Sequence, residues 1–190
     1  LPPEALPEDI LPAALSEPEV PAGPGLYFGL LGAHSDLSEG TGTVEDLFQS
    51  AANMPNLDFF AVTDHSDSFD NMDSADIRID STALSADWAA GKAAAAAVTS
   101  SSFAGLFGYE MNWPSQMKLG HISTFGTPGF QSRTQEPYRN NTGALENYYA
   151  ALASVPGSVS CFNHPGTQYG SFNGFQPYCA DADRAISLLE

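Results

Sequence analysis

A chain of 190 residues with 43% apolar content is long enough for one domain with a real core. It carries 23 Asp and Glu against 6 Lys and Arg, a formal net charge of −17, and its first basic residue is Arg78. That field repels a phosphate backbone and offers no basic stripe, so nucleic acid and anionic membrane are excluded as partners. No apolar run reaches the length of a bilayer span, and no membrane insertion is expected. Low lysine and excess acid point to an extracellular or cell-surface setting. Cys161 and Cys179 permit one disulfide without arguing for it.

Residues 1–24, rich in Pro, Glu and Ala, read as an extended leader or linker, because proline removes donors and fixes φ. Residues 25–190 read as the domain. LYFGLLGA is an apolar run of strand length. Thr43 then opens a helix, TVEDLFQSAAN, with Asp46 completing a variant capping box and Leu47, Phe48 and Ala51 at helical spacing. LDFFAVTDH is a buried strand with a polar end, and Ser66 to Ser85 is a polar excursion. SADWAAGKAAAAAVTS reads as a helix in which Gly91 is a minor cost. GLFGYEMN and GHISTFG are strands three and four, TGALENYYAALASV a helix, SVSCFN strand five, and ADADRAISLLE the start of another helix. Strands alternating with helices predict a parallel sheet or barrel with a site at its C-terminal edge.

The four histidines all sit in short motifs: His34 in LLGAHSDLSEG, His65 in AVTDHSD, His121 in KLGHISTFG and His164 in CFNHPG. Glu110 lies between them in FGYEMNWP, among apolar and aromatic neighbours. Imidazoles and a carboxylate at strand ends are what a metal site needs, and this mixed shell suits Zn, Mn or Fe. Residues i and i+2 of a strand share a face, so H-x-H spacing can give two ligands; here the first position is Gly32. Asp64, adjacent to His65, faces away from it in a regular strand and reads as an acceptor or turn residue. His164 precedes Pro165, which favours an extended backbone and ends the strand.

In order, these motifs resemble those of the PHP family, the polymerase and histidinol phosphatase domains. FGLLGAHSDLSEGTGT is similar to the opening L-H-x-H-T-x-x-S-D-G, AVTDHSD to T-D-H, FGYEMN to G-x-E, and LGHISTF and FNHPG to the later histidine motifs. DFFAVTDHSDSFDN, GYEMNW and TPGFQSR look most like a secreted bacterial branch. The resemblance implies an α/β fold, a distorted (β/α)7 barrel incomplete at its C-terminus. It implies metal-dependent hydrolysis of a small-molecule phosphoester or related ester, with one to three divalent ions. His34 would serve the first metal, Glu110 would bridge first and second, and His121 and His164 would complete the second. Glu39 and His65 would hold the third, with Glu110, His34 and His65 the candidate catalytic residues.

The chain departs from the family at Gly32, in place of a ligand, and ends before the closing Asp-x-His motif. A histidine at position 32 is therefore expected to raise metal content, and the 190-residue piece to turn over weakly. A degenerate, non-catalytic module of a larger surface protein is the alternative. An amidohydrolase-type barrel also opens with H-x-H but needs a lysine at a strand end, and neither Lys92 nor Lys118 is so placed. Trp113, Tyr138, Tyr148, Tyr149, Tyr169 and Phe172 cluster near or after the motifs, where core packing is a commoner fate than lining a cleft. Arg133 and Arg139 are among the few cations able to meet a phosphate.

Overall fold

The computed structural model describes residues 25–139, 143–175 and 180–190; the Pro-rich leader and Cys179 lie outside them. Among the described residues, seven strands form two sheets. The first is parallel, β1 (Gly29–Ala33), β2 (Phe59–Val62) and β3 (Ala104–Phe107) in that order. The second is β4 (Tyr109–Asn112), β5 (His121–Phe125), β6 (Val159–Asn163) and β7 (Ile186–Leu189). Its β4–β5 and β5–β6 pairs are antiparallel and its β6–β7 pair is parallel.

Three of the helices among the described residues exceed two turns and pack around these sheets. Thr43 caps α1 (Val44–Ala52) with the reciprocal Thr43–Asp46 bonds of a full capping box, and Phe48 and Ala51 face the core. Ser85 accepts from the Trp88 amide to start α2 (Ala86–Val98). Gly91 turns out to be required by packing, because a Cβ there would lie 2.1 Å from the Phe107 ring. The third helix, α3 (Ala144–Ala153), buries Leu145, Tyr148, Tyr149 and Leu152. Phe69, Trp88, Phe107, Tyr109 and Phe130 form an aromatic core with ring centroids 5.0–6.3 Å apart.

The (β/α)7 barrel implied by the family resemblance is not formed. The strands divide between two small sheets rather than closing a circuit, and β5 runs against its neighbours. Residues 113–120 are too short for a parallel crossover, so β5 must return antiparallel to β4. The expected single strand GLFGYEMN breaks at Gly108, where a Cβ would meet the Thr124 carbonyl oxygen at 2.1 Å. Gly108 hands the chain from one sheet to the other: its amide donates to Val62 O, and that of Glu110 donates to Asp64 O. The expected C-terminal helix is one turn, Ala180–Asp183, followed by strand β7 with alternating exposure.

Candidate metal centre

Four of the sequence-derived residues gather at the seam between the sheets. His34 follows β1, His65 follows β2, Glu110 is the second residue of β4 and His121 opens β5. Because β5 is reversed, its first residue lies at the edge where its neighbours end. Glu110 is 2% exposed, and three imidazoles surround its carboxylate. His121 Nδ1 lies 2.8 Å and His65 Nε2 3.5 Å from Oε1, while His34 Nε2 lies 3.4 Å from Oε2. Oε2 also accepts from Asn163 Nδ2 at 2.6 Å.

Each imidazole turns its other nitrogen to an acceptor. His121 Nε2 faces the Trp113 carbonyl at 3.3 Å, and His65 Nδ1 faces Glu39 Oε2 at 3.5 Å. His34 Nδ1 faces Glu39 Oε1 at 3.0 Å and Ser38 Oγ at 3.2 Å. Ser38 commits its one proton to Asp64 Oδ1 at 2.6 Å, so toward His34 it can only accept. With the outer nitrogens of His34 and His121 facing acceptors, a neutral ring that keeps its proton there would turn its inner lone pair toward the Glu110 carboxylate. Without an ion, protons on the inner nitrogens make these contacts hydrogen bonds to Glu110; a bound cation would take their place, and an outer N–H held by an acceptor is the usual environment of a ligating histidine.

Asp64 is fully buried and accepts from the Ser35 amide, Ser35 Oγ and Ser38 Oγ, which fastens the loop after His34. Burial alone lowers the His34 pKa, but the hydrogen bond and charge of Glu110, with Glu39 and Asp64 behind, outweigh it and raise the group above its ordinary value. Burial alone would raise Glu110, but hydrogen bonds from His121, His34 and His65 hold it well below the carboxylate range.

Among the described residues, two sets of three place ligand atoms within 4.8 Å of one another: His34, Glu39 and His65, and His65, Glu110 and His121. His164 belongs to neither. Its ring stands edge-on to that of His121, centroids 5.0 Å apart, and is exposed on the same side of the site. Its φ of +29° replaces the extended backbone expected before proline. Its amide donates to Glu190 Oε2, which holds this geometry.

Gly32 is not a ligand position left empty in a regular strand. The β1–β2 register slips between Leu30 and Ala33, and Gly32 takes φ +81° within that bulge. The i, i+2 rule fails there, so a side chain at 32 does not inherit the direction of His34.

Asn163 and Ser123 escaped the sequence reading. Asn163 Nδ2 bonds both Glu110 and Ser123 Oγ, and Ser123 Oγ donates to Thr63 Oγ1, forming a polar floor beneath the carboxylate. Their signals were Asn next to His164 and Ser two residues after His121, on the same strand face. Compared with protein families, curated proteins and solved structures, the chain matches none.

Proposed function

We propose that this protein is a metal-dependent hydrolase acting on a small phosphoester or related ester, as the likeness of its motifs to PHP proteins suggests. The observation that carries the reading is one buried carboxylate facing three imidazoles, two of which turn their outer nitrogens to fixed acceptors. These donors fit a divalent Zn, Mn or Fe ion. His65, Glu110 and His121 would hold it, with His34 on the second carboxylate oxygen and Glu39 reaching in from solvent. Such an ion supplies Lewis acidity for attack by water on an ester.

The chain's own residues do the rest. Asn163 and the three imidazoles keep Glu110 ionised and oriented, and Asp64 fixes His34 through Ser38. Glu39, 61% exposed, joins the outer nitrogens of His34 and His65 to solvent. A non-catalytic metal-binding module is the second reading, favoured by the bulge at Gly32, whose left-handed backbone leaves β1 without a ligand before His34.

Elemental analysis and hydrolysis of 4-nitrophenyl phosphate, with and without chelator, test the proposal in wild type and in Glu110→Gln. Metal in near-stoichiometric amount, lost in the variant together with turnover, is expected. Equal metal content in the two proteins would overturn the assignment. Stoichiometric metal without turnover would favour the second reading.

A further inference from the structure

Two cavities of about 390 and 610 Å³ adjoin between the loops 72–76 and 131–139, sharing Asp73, Thr134 and Arg139 in their walls. The smaller is walled on its apolar side by Met72, Pro114 and Met117, over a floor of buried Trp113. Trp113 joins this cleft to the metal centre: its carbonyl meets His121, and its indole N–H donates to Tyr138 O in the cleft loop. The loop is pinned by Gln135 Nε2, which donates to Met72 O and Ala75 O.

Only six cations occur in a chain of net charge −17, and Arg78, Arg133 and Arg139 all line these cavities. Arg78 is spent on Asp76 and Arg133 on Asp67. Lys92 sits over the Trp88 ring, and Lys118 donates to the Thr167 and Gln168 carbonyls. Arg139 is exposed and forms no salt bridge among the described residues, Asp73 on the same wall included.

We propose that this cleft is a binding subsite for an amphipathic anion, its charged group on Arg139 and its apolar part between Met72 and Met117. Resting on the hydrolase reading, it holds the non-reacting portion of the substrate, so that an ester bearing a second anionic group on an aromatic or apolar body is preferred.

The chain has four methionines, and ¹³C-methyl labelling makes them reporters: Met72 and Met117 line the cleft, while Met54 is exposed elsewhere. Phenyl phosphate is titrated into the full chain with chelator present. Saturable shifts of Met72 and Met117 but not Met54 are expected, with phenol much weaker. Arg139→Ala should weaken binding about tenfold, a loss typical of one charge-assisted contact. Arg139→Lys should restore part of it, and Asp73→Asn should tighten it. His121→Ala should leave the shifts in place.

Unmoved Met72 and Met117 signals, an unchanged affinity in Arg139→Ala, or loss of the shifts in His121→Ala would each overturn the subsite. Arg139-dependent shifts in a protein that hydrolyses no ester would sink the hydrolase reading and leave the subsite standing. Turnover whose KM ignores Arg139 would do the reverse.

Discussion

Glu110 shows how a single side chain can be legible in sequence while its reason is not. A lone acid inside an aromatic strand stands out, but the Asn163 amide that holds it, and Ser38 and Asp64 that fix His34, are ordinary polar residues until the fold brings them together. Gly32 shows the converse. By analogy it is a lost ligand, yet its φ of +81° and the register slip around it make it the hinge of a bulge. Gly32→His should therefore add no metal, against the expectation from its position in the motif. It should lower stability by about 1–2 kcal/mol, the penalty of a left-handed non-glycine residue. Gly32→Ala should match that loss, because backbone conformation and not ligand chemistry sets it. Thermal melts of both variants, with elemental analysis of the histidine one, decide the matter; a rise in bound metal in Gly32→His would restore the ligand interpretation.

At the scale of elements, the helices were legible because caps and spacing are local, whereas strand direction depends on what the connections allow. The all-parallel expectation would have put His121, at the start of its strand, at the opposite edge from His34 and His65; the reversal of β5 brings it back. ADADRAISLLE carries helix-forming residues throughout, yet pairing with β6 makes its second half a strand. Gly91 is a sharper case of tertiary packing overriding propensity. Gly→Ala in a helix interior normally gains about 0.8–1.0 kcal/mol. Here the methyl would strike Phe107, and overpacking of a core typically costs about 1–3 kcal/mol. Gly91→Ala should thus lower Tm, and a higher Tm would show that α2 can shift away from β3. The start of α2 also carries an acid-dependent contribution. Burial alone raises Asp70, but hydrogen bonds from Ser85 Oγ and the Ala86 and Asp87 amides outweigh it and lower its pKa. A depressed folded pKa means stability present above the unfolded value, about 3.9, and lost as pH falls through the folded one. Asp70→Asn should lack that part of the acid-induced loss, as denaturant titrations at pH 5 and pH 2.5 would reveal; parallel curves for the two proteins would assign the loss elsewhere.

Across the whole molecule, the candidate ligands come from both sheets: His34 and His65 from the first, Glu110 and His121 from the second. Direct backbone continuity between the sheets runs through Gly108 and the extension of β2, including the His65–Glu110 bridge. An ion bound at this seam would therefore fasten one sheet to the other, and its binding free energy would be felt as stability of the entire fold. At a hundredfold excess over Kd, the gain is about 2.7 kcal/mol. For a domain of this size that corresponds to roughly 5–10 °C in Tm, with a single cooperative transition. Acid should erode the gain, because protons compete for the imidazole lone pairs. His34, raised above its ordinary value, meets that competition at a higher pH than an ordinary histidine would. In metal-free protein the sign reverses: the His34–Glu110 contact stabilises below the unfolded histidine value, about 6.5, and weakens as pH rises through the raised folded one. Calorimetry with and without Zn or Mn at pH 5 and pH 8 should thus show a small metal-induced increment at the lower pH and a large one at the higher. Glu110→Gln should abolish the increment at both. An increment independent of pH, or retained in that variant, would place the bound ion somewhere other than the seam.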